Sequence, residues 1–163
     1  DIADVLWKYG EERYARRIAR SVELARVESP ITTTSQQARQ IAASVPRHEF
    51  KKHPATRSFQ AIRIFINHEL EDLESVLPQA VEALAPGGRL AVISFHSLED
   101  RMVKRFIRDQ HQGPRLPPDL PVLPEHYRPT LKPVGKPIRP ERNEVESNPR
   151  ARSAVLRVAE RLA

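Results

Sequence analysis

His96, Ser97, Glu99, Asp100 and Arg101 fall within six residues, directly after the uncharged run 90 to 95. An imidazole, a hydroxyl and two carboxylates at this spacing could move protons, hold the polar edge of a ligand, or satisfy the first turn of a helix. Part of the cluster has a structural use. Ser97 with Asp100 matches S-x-x-D, a capping box for a helix over 98 to 110, and Arg101, Lys104, Arg105 and Arg108 read as its solvated basic face. His96 and Glu99 are left over by that assignment and become the candidates for chemistry. A metal reading of His-x-x-Glu has little behind it, because no second His or carboxylate stands at recognisable ligand spacing, and no metal is expected.

The elements around the cluster must put it somewhere useful. LAVISF is apolar and β-branched enough for a buried strand. It follows a helical stretch and the Pro86-Gly87-Gly88 turn, the pattern of an α/β unit feeding a parallel strand. In open α/β sheets, ligands bind outside the carboxyl ends of strands, where 96 to 101 would lie. Upstream, a long helix from about Arg57 is expected to bury Phe59, Ile62, Ile66, Leu70 and Leu73, with Pro78 kinking or restarting it. Thr56, Gln60, Arg63 and Asn67 share another face and suit either a cleft lining or an interhelical hydrogen-bond network. Residues 113 to 140 hold nine prolines and read as an extended loop, and 153 to 160 alternates as a second strand.

The first 46 residues look all-helical. Tyr14, Ile18, Val22 and Ala25 form one apolar stripe, while Arg13, Arg16, Arg17 and Arg20 gather on another face. Glu11 and Glu12 are expected in the first turn of that helix, and Thr34 with Gln37 is expected to cap the next one. Lys51, Lys52 and His53 add a basic loop. These sets suit phosphate contact, and equally a solvated, salt-bridged surface.

Composition narrows the classes. The chain has 163 residues, 39% hydrophobic, with a net charge of +6 and no cysteine. Its isoelectric point is near 10.1, which points to a polyanionic partner, most simply nucleic acid. Disulfides and thiolate metal sites are excluded. No membrane-length apolar run or signal peptide is seen, and a cytoplasmic location is expected. With five glycines there is no G-x-G-x-x-G, and G-x-S-x-G is absent. Two strands are too few for a parallel sheet, and the chain opens at Asp1 in a helical pattern, so it reads as part of a larger domain.

YGEERYARRIARSVELAR, HPATRSFQAIRIFINHEL, LAPGGRLAVISFHSLEDRMVKRF and NPRARSAVLRVAERL, in this order, resemble the ribosomal-RNA small-subunit methyltransferase H family, also called MraW. The resemblance covers essentially the whole chain, and ISFHSLEDR is its most specific part. It implies an α/β fold: the C-terminal part of a class I (Rossmann-like) methyltransferase domain over 51 to 163, plus part of an inserted all-helical domain over 1 to 50. It implies S-adenosylmethionine-dependent methylation of a cytidine N4 amino group in small-subunit ribosomal RNA. The cofactor-binding residues would lie upstream of Asp1. Glu99 or His96 would then accept from the amino group or hold the base, with Phe95 stacking on it and Ser97 beside it. Arg13, Arg16, Arg17, Arg20, Lys51, Lys52, His53, Arg57, Gln60, Arg63 and Asn67 would face RNA. The partner is ribosomal RNA or the small subunit, a homodimer is left open, and the rival readings are a non-catalytic RNA-binding module and a structural scaffold.

Overall fold

The computed structural model describes residues 1–46, 53–113 and 128–162. It divides into two compact units, Asp1–Glu69 and Leu70–Ala163.

The first unit is helical: α1 (Ile2–Gly10), α2 (Ala15–Glu28), α3 (Thr34–Ser44) and α4 (Thr56–Asn67). Asp1 caps α1 by accepting from the Ala3 amide at 3.1 Å. The helix ends at Glu11, which takes the left-handed conformation (φ 47°). Glu11 and Glu12 therefore precede α2 rather than occupying its first turn. Glu12 is buried and accepts from the Tyr14 amide. Ile18 and Val22 are buried as their spacing predicts. α3 is capped one residue earlier than expected: Thr33 and Gln36 form the box, because Thr33 is the last extended residue.

α4 departs further from expectation. Its fully buried residues are Ser58, Ala61 and Ile64, whereas Ile66 is 65% exposed. The reason is close approach to α1. A Cβ on Gly10 would sit 2.7 Å from the Arg57 carbonyl oxygen, so the face of α4 that meets α1 must be small. Ile62, Phe65 and Ile66 instead border a cavity of about 580 Å³ shared with apolar side chains of α1, α2 and α3. The helix also stops sooner. His68 adopts φ 54° and separates α4 from α5 (Glu69–Ala83), so Leu70 and Leu73 belong to a different helix. α5 runs through Pro78 without ending there.

The second unit places α5 and α6 (Ser97–Gln112) against one face of a three-stranded antiparallel sheet. Its strands are β1 (Arg89–Ser94), β2 (Leu131–Pro133) and β3 (Val155–Arg161), in the order β1-β3-β2. Among the described residues β1 pairs only with β3, in register Leu90↔Ala159 and Val92↔Arg157. β2 lies inside the proline-rich stretch that reads as loop. Pro133 is tolerated because β2 is an edge strand, where a missing N–H breaks no central ladder. α7 (Arg142–Ser147) and a 3₁₀ turn (Pro149–Ser153) precede β3 and carry no clear signal in the sequence.

The core joins Leu77 and Val81 of α5, Val103 and Ile107 of α6, and Leu131 and Ala159 of the sheet. Fully burying each of the larger side chains contributes roughly 1.5–3 kcal/mol. Arg161 closes the end of α5 by donating from Nη1 to the carbonyls of Val81, Glu82 and Leu84, groups that a helix C-terminus leaves unpaired. Gly87 takes φ 79° in the turn before β1, and its amide donates to the Arg161 carbonyl at 2.8 Å. That double anchorage fixes where β1 begins, and therefore where it ends.

Candidate functional site at the end of the first strand

β1 ends at the buried Ser94, and the chain then turns outward through Phe95, which is 55% exposed. His96 is the N-cap of α6, with extended backbone (φ −141°, ψ 166°). Its Nδ1 accepts from the Glu99 amide at 3.3 Å. Glu99 answers with Oε2, which accepts from the amides of Phe95 at 2.8 Å and His96 at 3.2 Å. This reverses the division of labour read from the sequence. Ser97 and Asp100 do not form the capping box; His96 and Glu99 do, because extended backbone ends at His96, one residue sooner than S-x-x-D requires.

The reversal does not empty the site of chemistry. Nδ1 accepts, so the neutral ring carries its proton on Nε2. Nε2 lies 3.2 Å from Oε1 of Glu99. It is not in line for a hydrogen bond, and this buried nitrogen has no well-aligned acceptor among the described residues. Burial pulls the Glu99 carboxyl upward. The His96 ring and the two amides outweigh it and hold the group below the ordinary carboxylate range. Glu99 is therefore ionised at neutral pH, with Oε2 fixed by backbone and Oε1 free of any amide. Such a group can accept a hydrogen bond from a ligand, but it is a weak base.

Asp100 has a separate task. Its two oxygens receive Nε and Nη2 of Arg157 at 2.7 and 3.0 Å, tying α6 to β3. Arg157 is the main reason that the Asp100 carboxyl is held below its usual range. Ser97 is the first residue of α6 and exposed.

The other candidates lie in the helical unit. Arg13, Arg16, Arg17 and Arg20 are all exposed, on or just before α2. His53 is exposed and its Nδ1 accepts from the Ala55 amide, beside the start of α4. Arg57 is exposed and reaches the Glu11 carbonyl at 3.5 Å. Arg63 grips Glu69 through Nε and Nη2 at 2.8 and 2.9 Å, and Asn67 donates to the same carboxylate at 3.2 Å. Half of the Thr56–Asn67 polar face thus serves a hydrogen-bond network; Gln60 is half-buried and Thr56 exposed. Lys51 and Lys52 lie outside the described residues.

Among the described residues, seven helices and a small sheet, with an ionised carboxylate fixed where a strand meets a helix, make a mixed architecture consistent with part of a methyltransferase. A family model described as the MraW methylase family matches residues 1–162, and the chain belongs to that family. It is similar to the ribosomal RNA small subunit methyltransferase H of Thioalkalivibrio sulfidiphilus, 63% identical over 164 residues covering all of this chain and 52% of the relative. The proteins of the same name from Nitrosococcus oceani and Coxiella burnetii are 60% and 56% identical over 162 residues, 99% of this chain. The chain spans about half the length of these curated relatives. Among the described residues, no helix is long and apolar enough to cross a membrane.

Proposed function

We propose that this chain is the carboxyl-terminal part of an S-adenosylmethionine-dependent methyltransferase acting on the N4 amino group of a cytidine in small-subunit ribosomal RNA. The reading places residues 1 to about 50 in an inserted helical domain and the remainder in a Rossmann-like catalytic domain of the cytoplasm. The observation that carries it is Glu99: a carboxylate held ionised at the carboxyl end of β1, with Oε1 uncommitted to backbone. The names of the relatives supply ribosomal RNA as the substrate class.

The cofactor supplies a methyl group made electrophilic by its sulfonium. No glycine-rich loop follows a first strand in this chain, and we assign the cofactor's holders to the part of the relatives that it does not span. What these residues contribute is the acceptor side. The cytosine N4 lone pair is delocalised into the ring, so the amino group must be turned and must later lose a proton. Once carbon bonds to it, that nitrogen is cationic and strongly acidic. A carboxylate with a depressed pKa is then base enough, and position matters more than basicity. In this reading Glu99 Oε1 accepts from N4, His96 braces Glu99, Ser97 lies at the rim, and Phe95 stacks on a base drawn out of the RNA. The exposed arginines of α2, with Lys51, Lys52 and His53, contact phosphates.

Methyl transfer by the full-length protein to purified small ribosomal subunits, with digestion and mass analysis of the nucleosides, tests this. N4-methylcytidine is the expected product. A methyl group on another atom would remove Glu99 from the proposed role, and RNA binding without transfer would favour a binding module instead.

A further inference from the structure

The second unit has a cleft that the reading above does not use. It opens between α6, from Lys104 to Gln112, the loop between β2 and Ile138, and β3 at Arg157 and Val158, and its volume is about 170 Å³. Its charged lining consists of Lys104, Arg108, Lys136 and Arg157, with no carboxylate among the lining residues. Ile107, Val134, Pro137 and Val158 supply an apolar wall. The loop is held open by backbone: the Val134 amide donates to the Val158 carbonyl and the Ile138 amide to the Leu156 carbonyl. Gly135, at φ 69°, turns the chain outward between these two anchors and carries Lys136 to the rim.

Two of the four cations are already answered. Arg157 is held by Asp100, and Arg108 by Asp109 at 2.5 Å. Lys104 and Lys136 form no ion pair among the described residues, and Lys104 reaches Asp100 only at longer range. Lys104 and Lys136 are left as two positive charges lining the same cleft, which has an apolar wall. A site of this kind suits a small, strongly charged, oxygen-rich anion, because low-dielectric walls strengthen its contacts with ammonium groups.

We propose that this cleft binds a single backbone phosphate of the RNA strand, with Lys104 and Lys136 as its two ligands. The proposal rests on the RNA reading of the preceding section and deepens it. It gives the catalytic unit its own grip on the strand, independent of the arginines of the helical unit. The grip fixes register and carries no base specificity.

The test is RNA binding by the full-length protein, measured by fluorescence anisotropy against a single-stranded oligonucleotide over a range of salt. Lys104→Ala/Lys136→Ala is expected to raise the RNA Kd about tenfold and to reduce the log-log salt slope by roughly 0.7, the value for one phosphate of a single strand. Arg105→Ala/Arg152→Ala removes the same charge from exposed positions outside the cleft and should leave the slope nearly unchanged. If the wild-type protein binds RNA and both double variants behave alike, the cleft is not a phosphate site, although the RNA reading stands. If the wild-type protein binds no RNA, that reading fails and the assignment falls with it. Inorganic phosphate provides the other arm. Micromolar binding of phosphate that the Lys104/Lys136 substitutions abolish, with RNA affinity untouched, would overturn the RNA assignment in favour of a free-anion site.

Discussion

Among the described residues, two helices begin with the same hydrogen-bonding device and different chemistry. At α3 the box is Thr33 with Gln36, exposed and uncharged. At α6 it is His96 with Glu99, part-buried and ionisable, immediately after the strand. Either pair satisfies amide groups that a helix N-terminus leaves open. Thr and Gln do so without desolvating a charge. His and Glu do so at the cost of partly burying a carboxylate, which the ring and two amides must offset. Capping alone gives no reason for the costlier pair, and the role proposed for Glu99 would supply one.

The sharpest way to break the comparison is to turn the second box into the first. His96→Thr/Glu99→Gln keeps an N-cap oxygen and an N3 amide oxygen, so stability should change by no more than about 1 kcal/mol. Single-turnover methyl transfer at saturating RNA should nonetheless fall about 10²-fold or more, equivalent to about 2.7 kcal/mol of transition-state stabilisation. A rate within about threefold of wild type would leave this box with capping alone.

Asp100→Ala removes a carboxylate that the sequence assigned to capping and that the fold pairs with Arg157. Losing two charge-assisted hydrogen bonds to Arg157 should cost about 2 kcal/mol, read from chemical denaturation. The same pair predicts an acid limb. Asp100 and Glu99 are both depressed in the folded state, so their stabilisation is fully present above the unfolded value of about 4 and is lost as pH falls through the lower folded values. Denaturation midpoints measured from pH 6 downward should show the Asp100→Ala protein losing less stability than wild type below about pH 4.

The smallest effect belongs to the other box. Thr33→Ala should cost about 1 kcal/mol in denaturation and leave single-turnover methyl transfer within about twofold. A large kinetic loss from Thr33→Ala would show that the two boxes do not differ in the way proposed.

Much of this molecule is written locally. Apolar runs and alternation mark β1 and β3, Pro86-Gly87-Gly88 marks the turn, and apolar spacing marks Ile18 and Val22 as core, because these features depend on neighbours a few residues away. The sequence also singled out His96 and Glu99 and the MraW resemblance. It could not phase the caps. Whether Thr33 or Thr34, His96 or Ser97, begins the helix depends on where extended backbone ends, and at α6 that end is set by β1 pairing with β3 and by Gly87 bonding to Arg161 across the fold. The same holds for the small buried face of α4, which Gly10 dictates from another helix, and for Leu131, which becomes core only because β3 offers it an edge. Arg157 and Asp100 stand 57 residues apart, and Lys104 meets the cleft of Lys136 only once α6 packs beside the β2 loop. Periodicity reports which way a residue faces within its own element. Which residue it meets there is decided by packing between elements, and no local pattern encodes that.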